Sequence, residues 1–274
     1  MGPAVIPFVK ASACGNDFLL IDYSSIDQLL TPADISAFTR RICDRHEGVG
    51  ADGVEWMLPH TIADVEIRLI NAGGSAAEIS GNGTRCVAAY LCAERGKRTL
   101  NIQTGAGLKI CTLTARSEAV YEFDTAMGEA EVGKELEIAI GSGKDKVRGV
   151  PVSMGNPHYV VLVAAFDENW REQGAEIQRD AQFKQGVNVE FVIVESQHDV
   201  QVRFFERGVG ETQSSGTGSC ACAVAAIATG KAQSPVKIHT PGGTQTVRWE
   251  NDQVFLRGPA LLVCRGEYLL GLKA

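Results

Sequence analysis

R-F-F-E-R-G-V-G-E-T-Q-S-S-G-T-G-S-C-A-C-A, residues 203–223, is the stretch on which the reading of this chain turns. Bulk alternates at Val202 and Phe204 as in a strand. The strand ends in a charged pair, Glu206 and Arg207, crosses a glycine-rich turn and opens a helix at Ser215-Gly216-Thr217-Gly218. The first turn of a helix leaves backbone N–H groups without partners, and their dipoles sum to partial positive charge. Glycines at 216 and 218 let a carboxylate or phosphate approach that backbone closely, with the Ser215 side chain directed at whatever binds. The pattern predicts an anion site.

The same skeleton occurs earlier, at residues 66–84, E-I-R-L-I-N-A-G-G-S-A-A-E-I-S-G-N-G-T. Arg68 stands 135 positions before Arg203, Glu78 before Gln213 and Ser80 before Ser215. Val54-Glu55-Trp56-Met57 and Val189-Glu190-Phe191-Val192 keep the offset of 135; Asn101–Thr104 and Lys237–Thr240 stand 136 apart, and Gly15-Asn16 and Gly155-Asn156 stand 140 apart. Several matches in order and in register make the chain a tandem duplication of one unit. The expected fold is mixed α/β, with two pseudo-symmetric domains, each a sheet wrapped around a central helix. The domains are expected at 1–122, with a C-terminal strand from about 263–274 packing back on it, and at 123–262. Two copies facing each other would bring Ser80 and Ser215 towards one cleft.

The 274 residues are 45% hydrophobic and 22% charged, enough for two compact domains with a core each. A net charge of −7 argues against a nucleic-acid surface, which wants a basic stripe. No run of 18 apolar residues and no signal-like N-terminus occurs, so the expectation is a soluble, cytoplasmic protein without membrane or nucleic-acid partners. Eight cysteines without a C-x-x-C pair suggest neither a disulfide framework nor a metal site. Cys86, Cys92, Cys220 and Cys222 fall in apolar helical stretches and read as small core residues.

Along the chain, residues 5–22 read as two strands about a turn at Cys14-Gly15-Asn16-Asp17, with Asn16 either a turn residue or a side chain presented at a strand end. Thr31-Pro32 starts a helix. The segment 82–95 is apolar on every side and ends at Gly96, which marks a helix buried all round. Residues 153–158, S-M-G-N-P-H, interrupt a strand, and His158 reads first as a structural imidazole whose place beside the repeated Gly-Asn also points to the site. Residues 168–180 are helix-compatible, and Asn188 precedes another strand.

G-N-D-F at 15–18, N-A-G-G-S-A-A-E-I-S-G-N-G-T-R-C at 71–86, S-M-G-N-P-H at 153–158, N-V-E-F at 188–191 and E-R-G-V-G-E-T at 206–212 followed by G-T-G at 216–218 resemble the diaminopimelate epimerase family, over essentially the whole chain. The resemblance implies a cofactor-independent, metal-free enzyme that epimerises LL-diaminopimelate to meso-diaminopimelate by two-base proton transfer, in lysine and peptidoglycan precursor synthesis, and it admits a homodimer. Matched motif by motif, Asn16, Asn71, Asn156, Asn188, Glu206 and Arg207 would bind the amino-acid substrate, Arg207 pairing its distal carboxylate. Gly81, Asn82, Gly216 and Thr217 would offer backbone donors to the reacting carboxylate. Ser80 and Ser215 occupy the two catalytic positions, with His158 and Glu206 beside them.

Two departures bear on activity. The family has cysteine where Ser80 and Ser215 stand, and aspartate where Gly73 stands. A thiol titrates near ~8.5 and an alcohol far above it, close to water, a gap of roughly 9–10 kcal/mol in forming the base. A helix N-terminus returns only about 0.3–2 kcal/mol. The expectation is a chain that binds the family's ligand type and racemises it poorly or not at all. The alternatives are a diverged isomerase or dehydratase in which Glu206 or His158 moves the proton, and a non-catalytic amino-acid binding protein. A serine hydrolase is disfavoured, because no G-x-S-x-G surrounds either serine.

Overall fold

The computed structural model describes residues 4–26, 30–141, 143 and 145–270. The last four positions of the C-terminal strand expected over 263–274 therefore lie outside the described residues. The chain folds into two units, Met1–Thr125 with Pro259–Ala274, and Ala126–Gly258. Two strands, Val120–Glu129 and Gln253–Leu270, carry the chain across the boundaries.

In the first unit, strands Ala4–Ala13 and Asn16–Asp22 form a hairpin whose two turn residues, Cys14 and Gly15, both have positive φ (51° and 78°). That is the backbone a two-residue hairpin requires. Helix α1 (Pro32–Cys43) follows, its start held by Asp34 reaching back to the Thr31 N–H. Strand Gly53–Leu58 lies parallel to Asn16–Asp22 and antiparallel to Val65–Asn71, which lies parallel to Thr99–Thr104. Between the last two runs helix α2 (Gly81–Arg95), closed by Gly96 in the left-handed conformation.

The second unit repeats the plan with strands Asp145–Ser153, Pro157–Leu162, Asn188–Ser196, Asp199–Glu206 and Val236–Thr240, and helices α3 (Trp170–Gln178) and α4 (Gly216–Ala228). The repeat extends to strand register. Phe18 pairs with Gly53 as His158 pairs with Asn188; Val54 pairs with Ile70 as Val189 pairs with Phe205. Val65 pairs with Ile102 as Val200 pairs with Ile238. Duplication of sequence is thus duplication of fold, in a mixed α/β architecture.

The strands between the two helices of each unit are covered on both faces, which is why residues 18–21, 53–58 and 189–194 read as largely apolar runs, broken only by Glu55 and Glu190. In the first unit Phe18, Leu20 and Met57 face α2, while Leu19, Ile21, Val54 and Trp56 face α1. In the second, Val192, Val200, Val202 and Phe204 face α4, while Val189 and Phe191 join Trp170 and Ile177 of α3. Helix α2 is buried from Gly81 to Ala89, and α4 from Gly216 to Ala226. The helical cysteines Cys86, Cys92, Cys220 and Cys222 are buried and in no disulfide among the described residues. Among the described residues no helix is long and apolar enough to cross a membrane.

Small residues let α4 approach the sheet. A Cβ on Gly218 would lie 2.9 Å from the Phe204 ring and 3.0 Å from Glu190 Oε1. Gly218→Ala should destabilise by about 1–3 kcal/mol through overpacking, and Phe123→Ala, in the core of the first unit, by about 3–5 kcal/mol through a cavity. Urea unfolding curves of the two variants check both values.

Candidate functional site

Both central helices begin on a serine. In α2, Ser80 is the N-cap in extended conformation and its Oγ accepts from Gly83 N at 3.0 Å; in α4, Ser215 Oγ accepts from Gly218 N at 3.2 Å. One first-turn donor per helix is thereby satisfied, leaving the others to a ligand. Behind the caps the next turn is tied down identically: Thr84 Oγ1 donates to Ser80 O at 2.8 Å and Ser219 Oγ donates to Ser215 O at 2.6 Å.

In the first unit, Asn16 opens its strand and donates from Nδ2 to Asp52 Oδ2 at 2.5 Å. Asp52 also accepts from Asp17 N, and Arg45 bridges Asp52 and Asp17, so the loop G-V-G-A-D-G at 48–53 aims the Asn16 amide. Burial works against the Asp17 charge, but Arg45 and Lys10 hold its carboxyl below the usual range. Asn71 closes its strand with Nδ2 donating to Ser75 Oγ at 3.2 Å. Gly81 and Asn82 are buried in the first turn of α2, and Asn82 Oδ1 accepts from Arg85 Nη2 at 2.5 Å.

In the second unit the expected residues form a connected network. Glu206 accepts from Thr212 Oγ1 at 2.8 Å and lies near Ser215. Burial pushes the Glu206 carboxyl up, the Thr212 bond pulls it back, and nearby Glu190 pushes it further up. Asn188 accepts from Arg207 N at 2.9 Å and donates to Pro157 O at 3.1 Å, and Arg207 Nη1 donates to Gln185 O at 3.0 Å. Asn156 spans Thr217 Oγ1 at 3.3 Å and His158 Nε2 at 3.0 Å. Gly216 is buried in the same helical turn.

His158 is 1% exposed and bound through both ring nitrogens, Nδ1 lying 2.6 Å from Glu190 Oε1. With Asn156 Oδ1 facing it, Nε2 is the donor, and Nδ1 shares a proton with Glu190, whose carboxyl burial pushes up. The imidazole thus orients the Asn156 amide at the start of α4.

Three further residues belong to these sites. Asp52 aims Asn16, Glu190 anchors His158, and Glu55 is Glu190's counterpart in the first unit. The signal for the glutamates was present in V-E-W and V-E-F, a carboxylate within an apolar run of a doubly covered strand. Asp52 left no comparable mark, because its partners lie 35 and 36 residues away.

The diaminopimelate epimerase family model matches residues 8–132 and 150–263, one segment in each half. A diaminopimelate epimerase of Pelotomaculum thermopropionicum is 37% identical over 95% of this chain and 98% of its own, and that of Heliobacterium modesticaldum is 36% identical with the same coverage. Among solved structures, a hydroxyproline epimerase from Agrobacterium vitis shares the fold with a TM-score of 0.75 at 15% identity, over 97% of this chain and 91% of the other. Methylitaconate-delta-isomerase does so with a TM-score of 0.66 at 13% identity, over 99% and 98%. By its sequence along both halves, and by a fold common to epimerases and isomerases, the chain belongs to the diaminopimelate epimerase family.

Proposed function

We propose that this protein is a cofactor-independent amino-acid epimerase acting on the two epimers of diaminopimelate, LL and meso, with its proton transfer slowed by alcohols at the two positions where the family carries thiols. The observation that carries the reading is the pair of serine-capped helix N-termini, one per unit, each a donor set for a carboxylate. Asn16, Asn71, Asn156 and Asn188 supply amide groups suited to an amino acid, and Arg207 supplies a cation for a second carboxylate. The cytoplasm and a homodimer belong to this reading on the resemblance alone.

The chemistry is removal of the α-proton from one face and delivery to the other, the electron pair resting meanwhile in the adjacent carboxylate. The helix N-termini offset the charge that builds there. Glu206 lies near Ser215, so a proton leaving the substrate on that side has a carboxylate close at hand. Asn71 holds the corresponding place beside Ser80 and, being an amide, offers none.

Incubation with LL- and meso-diaminopimelate in deuterated water, followed by proton NMR, should reveal binding with slow loss of the α-proton signal. Ser80→Cys with Ser215→Cys should raise exchange by about 10²–10⁴-fold. Equal rates in the serine and cysteine forms would overturn the proposed slowing, and absence of binding would overturn the substrate. Arg207→Met should weaken binding by roughly 10–100-fold, the value of a charge-assisted hydrogen bond, while affinity for a monocarboxylic amino acid stays unchanged. Calorimetric titration of the two ligands checks that difference.

A further inference from the structure

The second residue past each N-cap serine has its side chain held by the interior, and the two units hold it with different chemistry. In α4 that residue is Thr217, whose Oγ1 accepts from Asn156, with His158 and Glu190 behind. In α2 it is Asn82, whose Oδ1 accepts from Nη2 of Arg85 at 2.5 Å. Arg85 stands three positions on, a neighbour on the same helix face. Its repeat counterpart, 135 positions later, is Cys220, so of this pair only the first-unit residue is a cation.

Arg85 is 0% exposed. Its Nε donates to Pro259 O at 3.4 Å and its Nη2 to Asn82; both acceptors are neutral, and Nη1 has no hydrogen-bond partner among the described residues. Taking a guanidinium out of water costs more than two neutral oxygens return. Glu55, which lies against Gly83 of the same helical turn, does not offset the charge at pH 7, because burial pushes its carboxyl up to about 8. Filling the space does not require a charge either, since Cys220 occupies the equivalent place in α4 without one. A buried donor left over at the start of a helix is suited to an anion that arrives there.

We infer that Arg85 is a positioning residue of the first half-site: it fixes Asn82 through the side-chain amide and keeps a positive charge beneath the first turn of α2, where the substrate carboxylate gathers further negative charge as the α-proton leaves. The inference rests on the proposed epimerase reading, in which Gly81 and Asn82 offer backbone donors to that carboxylate. When the α C–H bond breaks, the proton goes to the base and the electron pair passes into the carboxylate, which moves from one negative charge towards two. A guanidinium carries its charge permanently. Fixed in a dry interior, it interacts more strongly with the doubly charged carboxylate than with the singly charged one. Its loss therefore lowers the rate more than the affinity.

Arg85→Met removes the charge and Arg85→Lys keeps it. In the chain carrying Ser80→Cys and Ser215→Cys, α-proton exchange in deuterated water should fall about tenfold or more with Arg85→Met, while calorimetric affinity for meso-diaminopimelate stays within about threefold; Arg85→Lys should keep exchange within about threefold. A second readout needs no substrate. The thiol introduced by Ser80→Cys reports the potential at the start of α2 through the pH dependence of its alkylation, followed at residue 80 by mass spectrometry because Cys264 is exposed as well. Adding Arg85→Met should move that titration up by roughly half a unit or more, and adding Arg85→Lys should leave it in place. Asn82→Asp, which sets a carboxylate against the guanidinium without removing it, should move it up too and decides the matter should Arg85→Met not fold.

An arginine that only clamps α2 to Pro259 leaves the thiol titration unmoved. An unmoved titration in Arg85→Met or Asn82→Asp, exchange in Arg85→Met equal to that of its parent, or a fall in exchange matched by an equal fall in affinity would each overturn the inference. A shifted titration in a chain that binds neither epimer would instead overturn the epimerase reading, and the use of Arg85 in it.

Discussion

Two backbone hydrogen bonds, from Gly83 N to Ser80 Oγ and from Gly218 N to Ser215 Oγ, set the terms for the rest of the molecule. Each fixes where a central helix begins, and therefore which first-turn N–H groups remain available for an anion. The glycines are required twice over, since the same residues that donate to the serines also press against a buried glutamate. Helices this thoroughly buried must be built from small residues, which is why their sequences run to Gly, Ala, Ser and Cys. The sheets then follow the helices, covering them with apolar strands in the same register in both copies.

Duplication preserved this frame and allowed the polar interior to diverge. Asn71 stands opposite Glu206 and Phe18 opposite His158, while Asn16 and Asn156 keep the same amide. One copy wires its site into a network of side chains running from Glu190 to Thr217. The other aims Asn16 through Asp52 and leaves Glu55 bare.

Most of the frame was legible in the sequence because it is written in spacing. Offsets of 135 and 136 survive in strands whose pairings turn out to repeat residue for residue, and Gly96 ends α2 where the apolar run stops. The helix expected over 168–180 is shorter, Trp170–Gln178, because turns at Asp167 and Asp180 confine it. The site was legible in part. Serine caps and glycine turns announce a helix N-terminus by local chemistry, whereas the bond from Asn16 to Asp52 and the burial of Glu55 depend on contacts between distant segments. A glutamate inside V-E-W differs from one on a solvated strand only once both faces of that strand are known to be covered.

The path of the chain through the two copies sets an order of assembly. The second unit is one uninterrupted stretch, Ala126–Gly258, whereas the first closes its sheet by pairing Ala4–Ala13 with the end of the last strand, Ala4 lying opposite Leu270. During synthesis the later copy can complete its core while still near the ribosome. The earlier copy must hold its hairpin edge unpaired until the strand ending at Leu270 has emerged. Of the two copies, the one translated first is the one that finishes last.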